Sequence, residues 1–327
     1  MFVKFVVLLV LMFFGSHAQA NGKISLFVFG DSLSDVGNDY IVTNTEGVAV
    51  PIPPAGRYYN GRFSNGPNAV DYLWEIIGDG SSVKPVERIA DVEINKQTQA
   101  LSFAYGGSET GLKNSVLGQF EVIGLLGQID MFRALKGNHK HLKHGIALVW
   151  SGANDYINQY ANGEMVSEAD VISRLKIAIL GLYCQGVRNF LVPNLPDLGE
   201  IPLAYILSEL YSDIEIPRVL SKNTSRHNTK LDKLIRDLRR LPGVNIRKVD
   251  IYSLVKNIVL NRGVVSGPAS GCLFSPIVDE EACSPISFEE GDGLIFWDEI
   301  HPTTELHRAF ADEILKELFK GLFLKKN

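Results

Sequence analysis

"FVFGDSLSDVGN", residues 27–38, ends an apolar run on a glycine and then sets a serine between an aspartate and a leucine. The whole run, "ISLFVF" at 24–29, is apolar at almost every position. That pattern belongs to a strand buried on both faces, not to an amphipathic one. Similar short runs follow in "LSFAY" (101–105), "IALVW" (146–150), "NFLVP" (189–193) and "VNIRKV" (244–249). Helical patterns fill the intervals, among them 67–77, 119–136, 167–185 and 217–240. The last helix is the sharpest: after Pro302, Leu306, Phe310, Ile314 and Leu318 recur every four residues, with Leu315, Phe319 and Leu322 widening the stripe. Strand alternating with helix predicts an α/β fold built on an open, mainly parallel sheet with right-handed crossovers.

In such sheets, sites form in the loops that leave the carboxyl ends of the strands. Here those loops read GDSLSD, GGSET, SGAND and NLPDLG. Ser32 in the first is inert unless a base, an orienting acid and an oxyanion site surround it. Histidines are few enough to take in turn. His17 falls in the N-terminal apolar segment, and His139, His141 and His144 lie in the polar, basic "KGNHKHLKHG" turn without carboxylate or cysteine support for a metal. His227 and His307 sit within charged helical stretches.

His301 differs. Pro302 disfavours the helical conformation at His301 and so holds it ahead of the last helix, and Asp298 stands three residues before it in "LIFWDEIHPT". Asp298 can accept from the imidazole Nδ1–H and leave Nε2 to take a proton from Ser32. The plainer alternative is that both residues cap the final helix. Backbone N–H groups at Ser32 and in Gly106-Gly107, with the Asn154 amide, are the candidate oxyanion donors. Ser32 is not in a G-x-S-x-G elbow, and there is no Walker A loop or dinucleotide fingerprint. No cofactor and no metal are expected.

Four blocks in order, GDSLSDVGN at 30–38, AYGGS at 104–108, GAND at 152–155 and DEIHPT at 298–303, resemble those of the GDSL esterase/lipase family, the SGNH hydrolases. "GRFSNGPNAVDYL" at 61–73 is similar to the segment that follows the first block in that family. The resemblance implies a flavodoxin-like three-layer α/β/α sandwich. It makes Ser32 the nucleophile, His301 the base and Asp298 its partner, with Ser32, Gly107 (or Gly106 in the alternative register) and Asn154 forming the oxyanion hole. The narrower resemblance is to a secreted bacterial phospholipase A/lysophospholipase branch that includes some acyltransferases, and it implies a lipid or other ester substrate. A carbohydrate acetylesterase or short-chain carboxylesterase is the alternative on the same scaffold, and a catalytically dead exported binding protein the remote one.

The opening "MFVKFVVLLVLMFFGSHAQA" carries Lys4, a ten-residue apolar stretch and an A-x-A site, which predicts an export signal over 1–20 and a hydrolase domain over 21–327. A secreted or periplasmic protein is therefore expected. The formal net charge of −5 provides no basic footprint for nucleic acid, and no obligate protein partner is indicated. The basic, amphipathic C-terminal "KELFKGLFLKKN" allows a transient membrane contact, although its apolar stripe fits a packed last helix. In an oxidising compartment Cys272 and Cys283 are expected to pair, closing either a structural staple or a lid. Cys184, in apolar "AILGLYCQG", is expected to be a buried free thiol. Asn223-Thr224-Ser225 is a glycosylation sequon.

Overall fold

The structure, a computed structural model, describes residues 24–46, 51–88, 93–94, 99–116, 120–137, 139–163, 165–273 and 284–323. The segment expected to be an export signal lies outside them, as does Cys283. Six strands form one parallel sheet: β1 (Ser25–Gly30), β2 (Lys84–Pro85), β3 (Gln99–Ser102), β4 (Ile146–Trp150), β5 (Asn189–Pro193) and β6 (Asn245–Val249), in the order β6-β5-β4-β1-β3-β2. From β1 the chain forms the edge strand β2, returns to place β3 beside β1, and then builds outward on the other side through β4, β5 and β6. Apart from the two-residue edge strand, this is the flavodoxin-like order, with its switch point at β1.

Register makes the two faces explicit. Gly30 pairs with Trp150, so Trp150 shares a face with Leu26 and Val28, while Phe27 and Phe29 point the other way. Phe27 and Phe29 meet Phe132 edge-on, at centroid distances of 5.1 and 5.5 Å. Phe132 lies on helix α3 (Leu125–Ala134), whose face of the sheet is also covered by α5 (Glu168–Gln185) and α7 (Ile216–Leu238). On the opposite face Trp150 packs edge-on against Phe310 of α9 (Thr304–Phe323), at 5.4 Å, and α9 lies against α2 (Ala69–Ile77). The four-residue stripe explains α9: Leu306, Phe310, Ile314 and Leu315 are buried, and Leu318 and Phe319 pack against them. Residues of β1, β3, β4, β5 and β6 and of helices on both faces contribute to one large core cluster.

Three expectations change. Residues 119–136 do not form one helix: Phe120–Ile123 is a strand paired antiparallel with Lys113–Val116, and α3 begins only after Gly124. A Cβ at Gly124 would lie 2.3 Å from the Gly111 carbonyl oxygen, so the ribbon closes tightly against the helix start. Cys184 is free and exposed, not buried. Val171, Leu175, Ala178, Ile179 and Leu182 form the inner face of α5, and a residue two places beyond Leu182 lies about 200° around the helix. The sequon is inside α7, where Asn223 and Thr224 are buried rather than presented on a loop. Cys272 is buried with Tyr58, Ala269 and Trp297.

His227 is a core imidazole, bonded to the Tyr156 hydroxyl at 3.0 Å, and burial lowers its pKa from 6.5 to about 3. The unfolded chain therefore binds a proton at this residue between pH 6.5 and 3 that the folded chain refuses, so its stabilising effect is present above 6.5 and lost as pH falls. Thermal melts of the wild type and of His227→Gln between pH 7 and pH 4 should show a shallower acid decline of Tm in the variant.

Candidate active site

The nucleophile candidate stands where β1 ends. Gly30 is required there because a Cβ would lie 2.1 Å from the Trp150 carbonyl oxygen of β4. Gln128 of α3, wholly buried, then clamps the strand end. Its Oε1 accepts from Gly30 N–H at 2.9 Å, and its Nε2 donates to the Gly30 carbonyl at 2.8 Å and to Ser108 Oγ at 2.9 Å. The chain turns at once, the Asp31 carbonyl accepting from Ser34 and Asp35 N–H, with Ser32 inside the turn. Asp35 Oδ1 accepts from Gly37 and Asn38 N–H at 2.7 Å each and opens α1 (Asn38–Thr45). Asn38 Nδ2 donates to the Ser102 and Ala104 carbonyls at 2.9 Å each, fastening that helix to the end of β3. The "SDVGN" of the first block is thus scaffold for the turn.

The base candidate comes from a tight loop ahead of α9. Trp297 N–H donates to the His301 carbonyl at 2.7 Å and Thr303 N–H to Ile295 at 2.9 Å. Asp298 folds back inside this loop: Oδ1 accepts the backbone N–H of Ile300 and of His301, at 2.7 Å each, and Oδ2 meets His301 Nδ1 at 2.7 Å. On its other side His301 Nε2 reaches Ser32 Oγ at 2.8 Å. Ser32, Asp298 and His301 are all buried. Neither Asp298 nor His301 caps α9, because Asn65 Oδ1 accepts the Thr304 N–H at 2.8 Å. Residues 61–73 brace this loop: Phe63 lies against the imidazole at 5.0 Å between centroids, and Ser64 Oγ donates to the Pro302 carbonyl at 2.9 Å. Arg62 forks onto Asp71 at 2.8 and 3.0 Å, holding the brace to α2.

Charge is distributed unevenly among the buried acids. Burial alone would raise the Asp298 pKa, but the neighbouring His301 and the hydrogen bonds outweigh it and hold the carboxyl below its ordinary value. At Asp31 and Asp155 burial outweighs the hydrogen bonds and nearby cationic groups and pushes each up to about 7. Asp155 carries part of the structure, accepting Thr110 N–H at 3.0 Å and Thr110 Oγ1–H at 2.6 Å. Asn154, beside it at the start of α4 (Ala153–Asn162), donates one amide proton to the Ser108 carbonyl at 3.0 Å, and an Asn amide has a second proton to give. The loops after β1, β3 and β4 therefore meet, as their sequences led us to expect. Of the two glycine registers, Gly106 N–H faces the Asp39 carboxylate. Gly107, at φ +73°, and Ser32 donate no backbone hydrogen bond among the described residues. Gly107 N–H is therefore the candidate donor of the two glycines.

Ser32 and Asn154 open on a small cavity of about 40 Å³. Its walls are mostly apolar, including Ile157, Leu198, Ile201, Val255, Phe296 and Phe310, with the Asp31 carboxyl near the serine. Among the described residues no three His, Cys, Asp or Glu side chains are grouped to hold a metal ion.

The model for GDSL-like lipases/acylhydrolases matches residues 26–314, from β1 into α9. The chain belongs to that family. GDSL members similar to it include two esterases/lipases of Arabidopsis thaliana, 26% and 27% identical over 91% and 90% of this chain and 85% and 87% of their own. Both are plant enzymes, whereas the sequence suggested a bacterial branch. Among solved structures, an acetyl xylan esterase is similar at 12% identity and a TM-score of 0.46, over 89% of this chain and 98% of its own. A family two carbohydrate esterase from Clostridium thermocellum is similar at 10% and 0.48, over 91% and 64%. This GDSL enzyme is a carboxylic ester hydrolase.

Sequence reasoning missed Gln128, whose signal was a lone amide in the apolar "LLGQIDMF", and it missed Tyr58, which had none. Replacing Gln128 by Leu orphans the buried N–H of Gly30, while its carbonyl keeps the Tyr105 N–H at 3.3 Å. Urea unfolding of Gln128→Leu should show a loss of about 1–3 kcal/mol for the orphaned group.

Proposed function

We propose that this enzyme cleaves the acyl ester of a lipid, with lysophospholipids as its substrate class, through an acyl-enzyme on Ser32. The observation that carries the reading is the Ser32–His301 hydrogen bond of 2.8 Å at the mouth of an apolar cavity. Ser32 Oγ attacks the ester carbonyl as His301 Nε2 takes its proton, and Asp298 holds Nδ1–H and stabilises the imidazolium. Ser32 N–H, Gly107 N–H and the second Asn154 amide proton face the developing oxyanion. Collapse of the tetrahedral intermediate passes the proton to the leaving alcohol. Water then enters, gives its proton to His301 and releases the fatty acid; an alcohol in its place would give acyl transfer.

Apolar walls favour a hydrocarbon chain over an acetyl group, because buried CH₂ groups contribute about 0.8 kcal/mol each and acetate has none. That argument sets lipid esters ahead of acetylated carbohydrate. Export after cleavage near Ala20 is part of the same proposal: a secreted or periplasmic enzyme meets lipid at a membrane surface.

Acyl release from lysophosphatidylcholine, phosphatidylcholine, p-nitrophenyl acetate and acetylated xylan, measured side by side, tests the reading. Lysophosphatidylcholine should be the preferred substrate, and folded Ser32→Ala should release nothing from any of the four. Turnover confined to acetylated xylan, or a fully active Ser32→Ala, would overturn it. In the same assay Asn154→Ala should lower kcat by ~10²–10³ with little change in KM, the usual loss of one oxyanion donor.

A further inference from the structure

Asp298 Oδ2 has a second donor. The Tyr58 hydroxyl lies 2.7 Å from that oxygen, the same one that meets His301 Nδ1 at 2.7 Å. With the two backbone donors on Oδ1, the carboxylate takes four hydrogen bonds. Tyr58 is 240 residues away in sequence and only 1% exposed. Its ring is wedged among Ala269, Cys272 and Trp297 and meets Phe63 edge-on at 6.4 Å. Its backbone N–H is taken by the Pro54 carbonyl at 3.0 Å, and Trp297 Nε1 donates to the Arg57 carbonyl at 3.1 Å. Neither the phenol nor the carboxylate has room to turn away.

We propose that Tyr58 is a positioning residue for the hydrolysis assigned above, sharing Asp298 Oδ2 with His301 so as to fix the carboxylate and limit how strongly it holds the proton on the imidazole. The inference rests on the reading of Ser32, His301 and Asp298 as the hydrolytic apparatus. A carboxylate oxygen that already accepts one strong hydrogen bond offers less charge to a second donor. Burial, with the charge of Asp298, raises the pKa of the phenol well above its ordinary value. It therefore remains a donor throughout the working range. Other titratable groups near the imidazole are Asp31 and His307, and Glu299 and Arg57 stand near the phenol; Tyr58→Phe leaves all four in place.

The test is the pH profile of kcat/KM for Tyr58→Phe, which removes one oxygen and keeps the ring. Without the shared bond the imidazolium is better stabilised, so activity should disappear at higher pH on acidification. The acid limb should move upward by on the order of half a unit to one unit, with KM near its wild-type value. Trp297→Phe, which loosens the same cluster without touching the carboxylate, should lower Tm and leave the acid limb in place. An unmoved limb in Tyr58→Phe, or one that moves downward, would overturn the proposal and leave Tyr58 as packing. Should Tyr58→Phe not fold, 3-fluorotyrosine at position 58, a stronger donor of almost the same size, should move the limb downward, and an unmoved limb would be equally decisive. The Ser32→Ala assay separates these outcomes from a failure of the hydrolase reading itself.

Discussion

A buried glutamine amide holds the end of the central strand, and the site is built outward from that clamp. Gln128 satisfies both backbone groups of Gly30 and reaches Ser108 in the loop after β3. Ser108 in turn offers its carbonyl to Asn154 in the loop after β4. One side chain on a helix beneath the sheet therefore sets the spacing of three loops above it. A backbone group buried without a partner costs enough that each of these bonds narrows the choice of conformation. The turn that carries Ser32 has little freedom left.

The fold was legible because its signals were local. Short β-rich runs marked the five main strands, and the four-residue stripe marked α9, each to within three residues of the observed bounds. The ordered blocks also led to the loops that meet. What escaped depended on contacts distant in sequence. Nothing around Tyr58 says that its hydroxyl will meet Asp298, since the bond spans 240 positions. The Phe120–Ile123 strand was hidden because its partner strand, not its own composition, decides its state. Cys184 was misjudged because apolar neighbours in sequence lie on the other side of a helix.

Polar and apolar requirements are separated within a few ångströms. The imidazole and its carboxylate sit in a fully bonded cradle, while the cavity beside the serine has mostly hydrocarbon walls. Buried carboxylates bear the strain of this arrangement unequally. Asp298, with its donors and a cationic partner within reach, is held as an anion. Asp31, adjacent to Ser32 and poorer in donors, is pushed up to about 7 by burial. Of the two, only Asp298 is held firmly as an anion next to the base. A second full charge there would compete with Asp298 for the imidazolium.

The Ser32–His301 bond joins positions 269 residues apart. Ser32 and the 61–73 brace are made long before His301, so the bond waits for α9, which follows His301 directly, to dock on the sheet. Until α9 has docked on the sheet, the serine is an ordinary alcohol. The order of the sequence thus keeps Ser32 and His301 apart until the sheet and its last helix are assembled.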